Sequence, residues 1–244
     1  MTTLALDFGN SKVKFGIFQE NQIVFQDARS SLGATSLEIL IHEYRIQAAI
    51  LSSTRQMTPE ANATLGKLPF FVELSHHTPL PIRIGYKTPE TLGKDRVAAA
   101  VAVQAMWPGK NALAIDAGTC ITYDFVDKAG TYLGGQITPG LYMRFKAMHT
   151  FTGRLPQVEH ADETPEIGFN TATSMQSGVQ RGIAHEIDGF IRSYNRQYPD
   201  LQVALTGGDT SVLRSLIESE IFADSNLVLT GLHKILMHNA ELAG

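Results

Sequence analysis

A strand that ends in aspartate and turns on glycine occurs twice in this chain. Residues 4–10 read Leu-Ala-Leu-Asp-Phe-Gly-Asn and residues 113–119 read Leu-Ala-Ile-Asp-Ala-Gly-Thr, 109 positions apart. A repeat at that spacing predicts two structurally related halves. After each copy the apolar alternation continues as a second strand, through Val13, Phe15 and Ile17 in one half and Ile121, Tyr123 and Phe125 in the other. A third strand follows, Ile23–Phe25 and then Tyr132–Ile137. Each half therefore opens as a three-stranded antiparallel meander.

Helical periodicity comes next. Leu37, Leu40, Ile41 and Tyr44 fall on one helix face, Ala48–Leu51 reads as a buried strand, Pro59–Lys67 as a helix and Phe70–Leu74 as another strand. Ser75–Thr91 reads as loop, and an Ala/Val-rich helix from Lys94 to Trp107 ends at Pro108-Gly109. In the second half the spacing predicts helices over Leu141–Thr150, Thr171–Tyr198 and Thr230–Glu241, with a strand at Val203–Thr206. Asp209 is expected to cap a further helix reaching Glu218. The fold class is α/β, with mixed sheets and helices on both faces, divided as residues 1–110 and 111–244. The site is expected in the cleft between the halves.

Composition removes several function classes. The 244 residues carry 20 Lys+Arg against 24 Asp+Glu, and no two Lys or Arg residues are adjacent, which argues against the clustered charge of a nucleic-acid footprint. The single Cys120 has no internal disulfide partner, as expected in a reducing compartment. The apolar run Val97–Val103 is far too short for a membrane span, and the first residues lack the pattern of a signal peptide. A cytoplasmic protein without nucleic-acid or membrane partners is expected.

The candidate chemistry lies at the turns. Asp7-Phe8-Gly9-Asn10-Ser11-Lys12 places a carboxylate beside backbone N–H groups, polar side chains and the cations Lys12 and Lys14. That set suits a triphosphate with its metal. A single copy would equally be an ordinary β-turn; recurrence as Asp116-Ala117-Gly118-Thr119 favours two phosphate loops. Gly207-Gly208-Asp209, between a strand and a helix, permits close backbone approach of a ligand, although a plain strand–helix junction looks the same. Asp95, in Gly93-Lys94-Asp95-Arg96, reads either as a helix cap or as a general base beside a guanidinium fork. His76-His77 lacks partners at metal spacing, and Cys120 reads as a small core residue. The usual P-loop, dinucleotide, zincin and nucleophile-elbow signatures do not occur.

Taken together, Asp-x-Gly-Asn-Ser, Asp-x-Gly-Thr and the late Gly-Gly-Asp turn resemble the acetate/sugar kinase, Hsp70 and actin superfamily. The ordered set Gly85-Tyr86-Lys87-Thr88-Pro89, Gly93–Arg96, Asp116–Thr119, Gly134–Gly140 and Thr206–Asp209 is similar to that of type III pantothenate kinases. The resemblance implies a duplicated ribonuclease H-like fold and ATP-dependent phosphorylation of pantothenate, the entry to coenzyme A synthesis. It implies that Asp7, Phe8, Gly9, Asn10, Ser11, Lys12, Val13 and Lys14 form the first phosphate loop, and that Thr119, Gly207, Gly208 and Asp209 contact ATP. Asp116 would bind a monovalent cation, K⁺ or NH₄⁺, with Mg²⁺ accompanying the nucleotide. Asp95 would accept the proton, and Tyr86, Gly93, Lys94, Arg96 and Thr171 would line the substrate site. Thr171 would be supplied by the neighbouring subunit of a homodimer. Ser11 stands where threonine is more usual in that family. A non-catalytic transcription-accessory relative, or a kinase for another small alcohol or acid, are the competing readings.

Overall fold

The computed structural model describes residues 1–9 and 12–244, and its contacts divide the chain into two compact units. The first comprises Met1–Met106, Gly130–Tyr132 and Asn226–Gly244; the second comprises Trp107–Ala129 and Leu133–Ser225.

In the first unit, β1 (Thr2–Phe8), β2 (Val13–Gln19) and β3 (Gln22–Arg29) form the expected antiparallel meander. Glu20 and Asn21 turn β2 into β3 with φ of 49° and 67°, the left-handed pair that suits a two-residue hairpin loop. Helix α1 (Ala34–Tyr44) leads to β4 (Ala48–Ser53), parallel to β1, and α2 (Pro59–Gly66) leads to β5 (Phe70–Glu73), parallel to β4. The strand order is β3-β2-β1-β4-β5. Thr58 caps α2 by accepting from the Ala61 N–H, ahead of Pro59 at the first helical position.

Alternation along β1 separates two environments. Leu4, Leu6 and Phe8 join Leu37, Leu40 and Leu65 in one core. Thr3 points the other way, toward α7 (Leu227–Ala243), where its hydroxyl meets His233 Nδ1 at 2.9 Å. Asp7 shares that second face by the period of two. Helix α3 (Lys94–Met106) packs against α7 so closely that a Cβ on Gly231 would lie 1.8 Å from the Ala98 carbonyl oxygen. The alanines of α3 let the backbones approach; this is why its sequence is small as well as apolar. The stretch read as loop carries a two-residue strand, β6 (Arg83–Ile84), parallel to Thr131 and Tyr132, and a 3₁₀ turn at Pro89–Thr91.

The second unit repeats the plan. β7 (Ala112–Ala117) and β8 (Cys120–Val126) are antiparallel, and β9 (Thr131–Pro139) flanks β8. Parallel strands β10 (Gln202–Thr206) and β11 (Phe222–Ala223) follow on the other side of β7. The order β9-β8-β7-β10-β11 reproduces that of the first unit, strand for strand. Helices α4 (Leu141–Phe151) and α5 (Thr171–Gln197) cover one face, burying Leu113, Ile115, Tyr123 and Phe125 with Ile183 and Ile187.

Some sequence expectations differ from what forms. The helix expected to run to Glu218 is only α6 (Thr210–Leu213) followed by a 3₁₀ turn, Arg214–Leu216. Asp209 precedes it without a side-chain cap bond. Cys120 is half-buried, because Ile121, Tyr123 and Phe125 take the core-facing positions of β8. The C-terminal helix begins at Leu227, and it belongs to the first unit, whereas a linear division at residue 110 groups it with the second.

Candidate active site

In the first unit the site is built at the carboxyl ends of β1 and β4, where open α/β sheets bind ligands. The Asp7 carboxylate accepts from the hydroxyl of Ser52, its direct neighbour in register on β4, at 3.2 Å, and Ser52 is fully buried. Lys14 sits opposite Asp7 on β2. Burial pushes the Asp7 carboxyl up to about 6, and the negative charge of Asp95 adds to the rise; Ser52 and Lys14 act against it. The first-loop carboxylate and the candidate base are thus electrostatic neighbours, which nothing in the spacing of 88 residues announces.

Phe8 and Val13 bury their side chains in the core, so only their backbone is available to a ligand. The Phe8 carbonyl is taken by the Thr54 N–H at 3.1 Å and hydroxyl at 3.0 Å, which anchors the strand just before Gly9. Lys12 is exposed, and Asn10 and Ser11 lie outside the described residues.

Asp95 stands in the first turn of α3, and its Oδ1 accepts the Arg96 N–H at 2.9 Å. A Cβ on Gly93 would fall 2.6 Å from the same oxygen, so glycine there is what lets the carboxylate fold back. Capping and proton acceptance are compatible: the other carboxylate oxygen is not used by this bond. The Arg96 side chain is buried, 6% exposed, and Lys94 is half-buried. Tyr86 packs its ring 6.0 Å from that of Tyr132, and the Gly85 N–H donates to the Tyr132 carbonyl.

The second unit holds the other loop in a circuit of bonds. Asp116 ends β7 with Thr206 beside it in register, the counterpart of Asp7 with Ser52. The Gly118 N–H donates to the Cys120 carbonyl and closes the turn. From one side the Asp209 N–H reaches the Ala117 carbonyl at 3.0 Å; from the other the Gly140 N–H reaches the Thr119 carbonyl at 3.1 Å. The Leu141 N–H lies near the Asp209 carboxylate. Burial raises the Asp209 carboxyl above its ordinary range, with His160 and the Leu141 N–H opposing.

Glycine is needed at two points of this circuit. Gly207 has φ of +101°, and a Cβ there would meet the Ala117 carbonyl oxygen at 2.2 Å. A Cβ on Gly140 would sit 2.0 Å from the Gly118 carbonyl oxygen. Gly208, by contrast, faces open space. Thr119 is exposed, as is Thr171, the first residue of α5, whose N-terminus is closed by a capping box between Asn170 and Thr173.

Sequence reasoning missed Ser52 and the side chains that hold Thr138-Pro139-Gly140, and it named Thr206 only as part of a motif, without its place beside Asp116. The hydroxyl following each central strand's neighbour could have been found by extending the repeat to β4 and β10. The others carry no local signal.

Doubled mixed sheets of this order, each with an Asp-x-Gly turn at the end of its central strand, define the fold shared by actin, Hsp70 and sugar kinases. Solved structures agree at the level of fold. A Campylobacter jejuni chain named for the Baf family of transcriptional activators matches with a TM-score of 0.64 at 21% identity, covering 98% of this chain and 99% of that one. The activator of 2-hydroxyisocaproyl-CoA dehydratase from Clostridium difficile, with bound ADPNP, matches at 0.56 and 13%, covering 100% and 97%. The family model for type III pantothenate kinase matches residues 3–193. Type III pantothenate kinases of Bacteroides fragilis and Phocaeicola vulgatus are 46% and 44% identical to this chain, over 97% and 98% of it and 98% and 99% of their own lengths. This chain belongs to the type III pantothenate kinase family.

Proposed function

We propose that the protein transfers the γ-phosphoryl group of ATP to the primary hydroxyl of pantothenate, giving 4′-phosphopantothenate and ADP. The observation that carries the reading is the pairing of Asp7 and Asp95 in one unit, one at a phosphate loop and the other at a helix start beside Arg96. Phosphoryl transfer asks the protein mainly for alignment and charge neutralisation. Asp95 takes the hydroxyl proton, the hydroxyl oxygen bonds to the γ-phosphorus, and the bond to the β–γ bridging oxygen breaks as ADP leaves. Tyr86, Gly93, Lys94, Arg96 and Thr171 are assigned to pantothenate. Residues 7–14, Thr119 and Gly207–Asp209 are assigned to ATP.

The donors fit hard cations. Among the described residues no cluster of three or more His, Cys, Asp or Glu could hold a metal ion. A single carboxylate with phosphate oxygens is the usual setting for Mg²⁺, and Asp7 would supply it. Asp116, amid backbone carbonyls, would hold K⁺ or NH₄⁺. These ions neutralise phosphate charge when bound.

A homodimer is part of the same reading. Phe151, Ile167 and Phe169 are 85%, 83% and 78% exposed in the chain segment leading to Thr171, more than a solvated loop requires. A cytoplasmic location belongs to the same proposal; no helix among the described residues is long and apolar enough to cross a membrane. A coupled assay of ADP release tests the function: ADP should form only with pantothenate present, and faster in K⁺ than in Na⁺. Pantothenate-independent or absent ADP formation would overturn it.

A further inference from the structure

A carboxylate outside every assigned motif sits at the root of the second loop. Glu186 projects from α5, and its Oε1 accepts from the Tyr123 hydroxyl at 3.1 Å and from the Thr138 hydroxyl at 2.8 Å. Its Oε2 accepts from Arg144 at 2.7 Å. The same Arg144 donates through Nε to the Pro139 carbonyl at 2.8 Å. Glu186 and Arg144 thus grip two consecutive residues, Thr138 by its side chain and Pro139 by its backbone. The Tyr123 ring is fully buried, and burial together with the Glu186 charge keeps its phenol far above the ordinary range, so it stays a donor.

The next residue is Gly140, whose N–H holds the Thr119 carbonyl and whose Cα leaves no room for a Cβ against Gly118 and Thr119. A tight backbone contact of this kind transmits displacement because neither side can yield. The pair is about a quarter exposed on each side, where an ion pair adds little stability; its main effect is to set the position of the turn.

We infer that Glu186 is a positioning residue for the nucleotide, acting through Thr138, Pro139 and Gly140 to set the geometry of the Asp116–Thr119 loop. The inference rests on the reading that this loop and Thr119 contact ATP. Loss of the grip leaves the loop bonded but free to shift, and a misplacement of about 1 Å far from the chemistry can cost about 10²-fold in rate.

Steady-state kinetics of the full-length enzyme, with ATP and pantothenate varied separately, test both levels. Glu186→Gln and Thr138→Val are each expected to raise KM for ATP about tenfold, within that same bound, with KM for pantothenate unchanged. Combining Glu186→Gln with Arg144→Met should cost little more than either alone, since the two act as one unit. Asp188→Asn is the control: two residues along α5, Asp188 binds the Glu218 and Ser219 N–H groups, remote from the turn. It should lower the thermal midpoint without moving KM for ATP. Equal shifts in both KM values, or an Asp188→Asn effect matching that of Glu186→Gln, would overturn the positioning role. Thr119→Val separates the two levels, because an unchanged KM for ATP there defeats the nucleotide reading of the loop itself. Should Glu186→Gln fold poorly, Thr138→Val keeps the ion pair and tests the same link.

Discussion

Two buried titratable side chains in the first unit respond to acid in opposite directions. Asp7 carries a folded pKa of about 6 against an ordinary 3.8, so the stability gained from its protonated form is complete below 3.8 and gone above 6. His233 is stacked on Phe18 at 4.2 Å, takes the Thr3 hydroxyl at Nδ1, and faces Asn21 Oδ1 through Nε2 at 3.0 Å. Since an amide oxygen only accepts, the proton lies on Nε2. Burial, with Lys234 nearby, lowers its pKa to about 4, so its contribution is complete above 6.5 and lost as pH falls through 4. Between about pH 6 and 4 the two slopes oppose, each at most about 1.4 kcal/mol per pH unit. In protein free of nucleotide and divalent cation, Asp7→Asn should therefore lose stability more steeply on acidification than the wild type, and be more stable at pH 7. Thermal midpoints measured from pH 4 to 7 check this; parallel profiles would refute it. Asp95→Asn should lower kcat by about 10² to 10⁴-fold, the range for a missing general base, while calorimetry still detects pantothenate binding. Wild-type turnover would end the assignment of Asp95 as base.

The turns impose their limits at the scale of elements. Gly207 bridges β10 and α6 in a conformation that strains any side chain, and its Cβ would strike Ala117. Gly207→Ala should cost about 1–3 kcal/mol of stability, whereas Gly208→Ala, next to it in open space, should leave the thermal midpoint unchanged. Comparable losses would mean the turn relaxes and the clash is not real. Gly231→Ala addresses the α3–α7 contact in the same way. With the Ala98 carbonyl 1.8 Å from the new Cβ, the helices must part, and a loss of about 1–3 kcal/mol by denaturant titration is expected. Strands and long helices were legible because period and turn chemistry are local: β1, β2, β4, α1, α3 and α5 lie close to where alternation and 3.6-residue spacing put them. The helix after Asp209 is shorter than its pattern predicts: it covers only Thr210–Leu213 before a 3₁₀ turn, and Asp209 makes no side-chain cap bond to it.

At the scale of the whole molecule the chain returns to its beginning. Helix α7 lies on β1, β2 and β4 and packs along α3, so the last 19 residues complete the core of the first unit. A chain ended at Ser225 should expose the apolar faces of α3 and β1, and be recovered aggregated or protease-sensitive in its first hundred residues. Limited proteolysis with mass mapping would show this; a protected first unit would contradict it. The doubling itself was plain from the sequence, because a strand, an aspartate and a glycine turn are written in consecutive residues. The same holds for the candidate loops and for Asp95. The raised pKa of Asp7, the hold of Glu186 on Thr138 and the return of α7 were decided only by tertiary structure. Each of these depends on burial or on groups distant in the chain, and distance in sequence leaves no periodicity from which to read it.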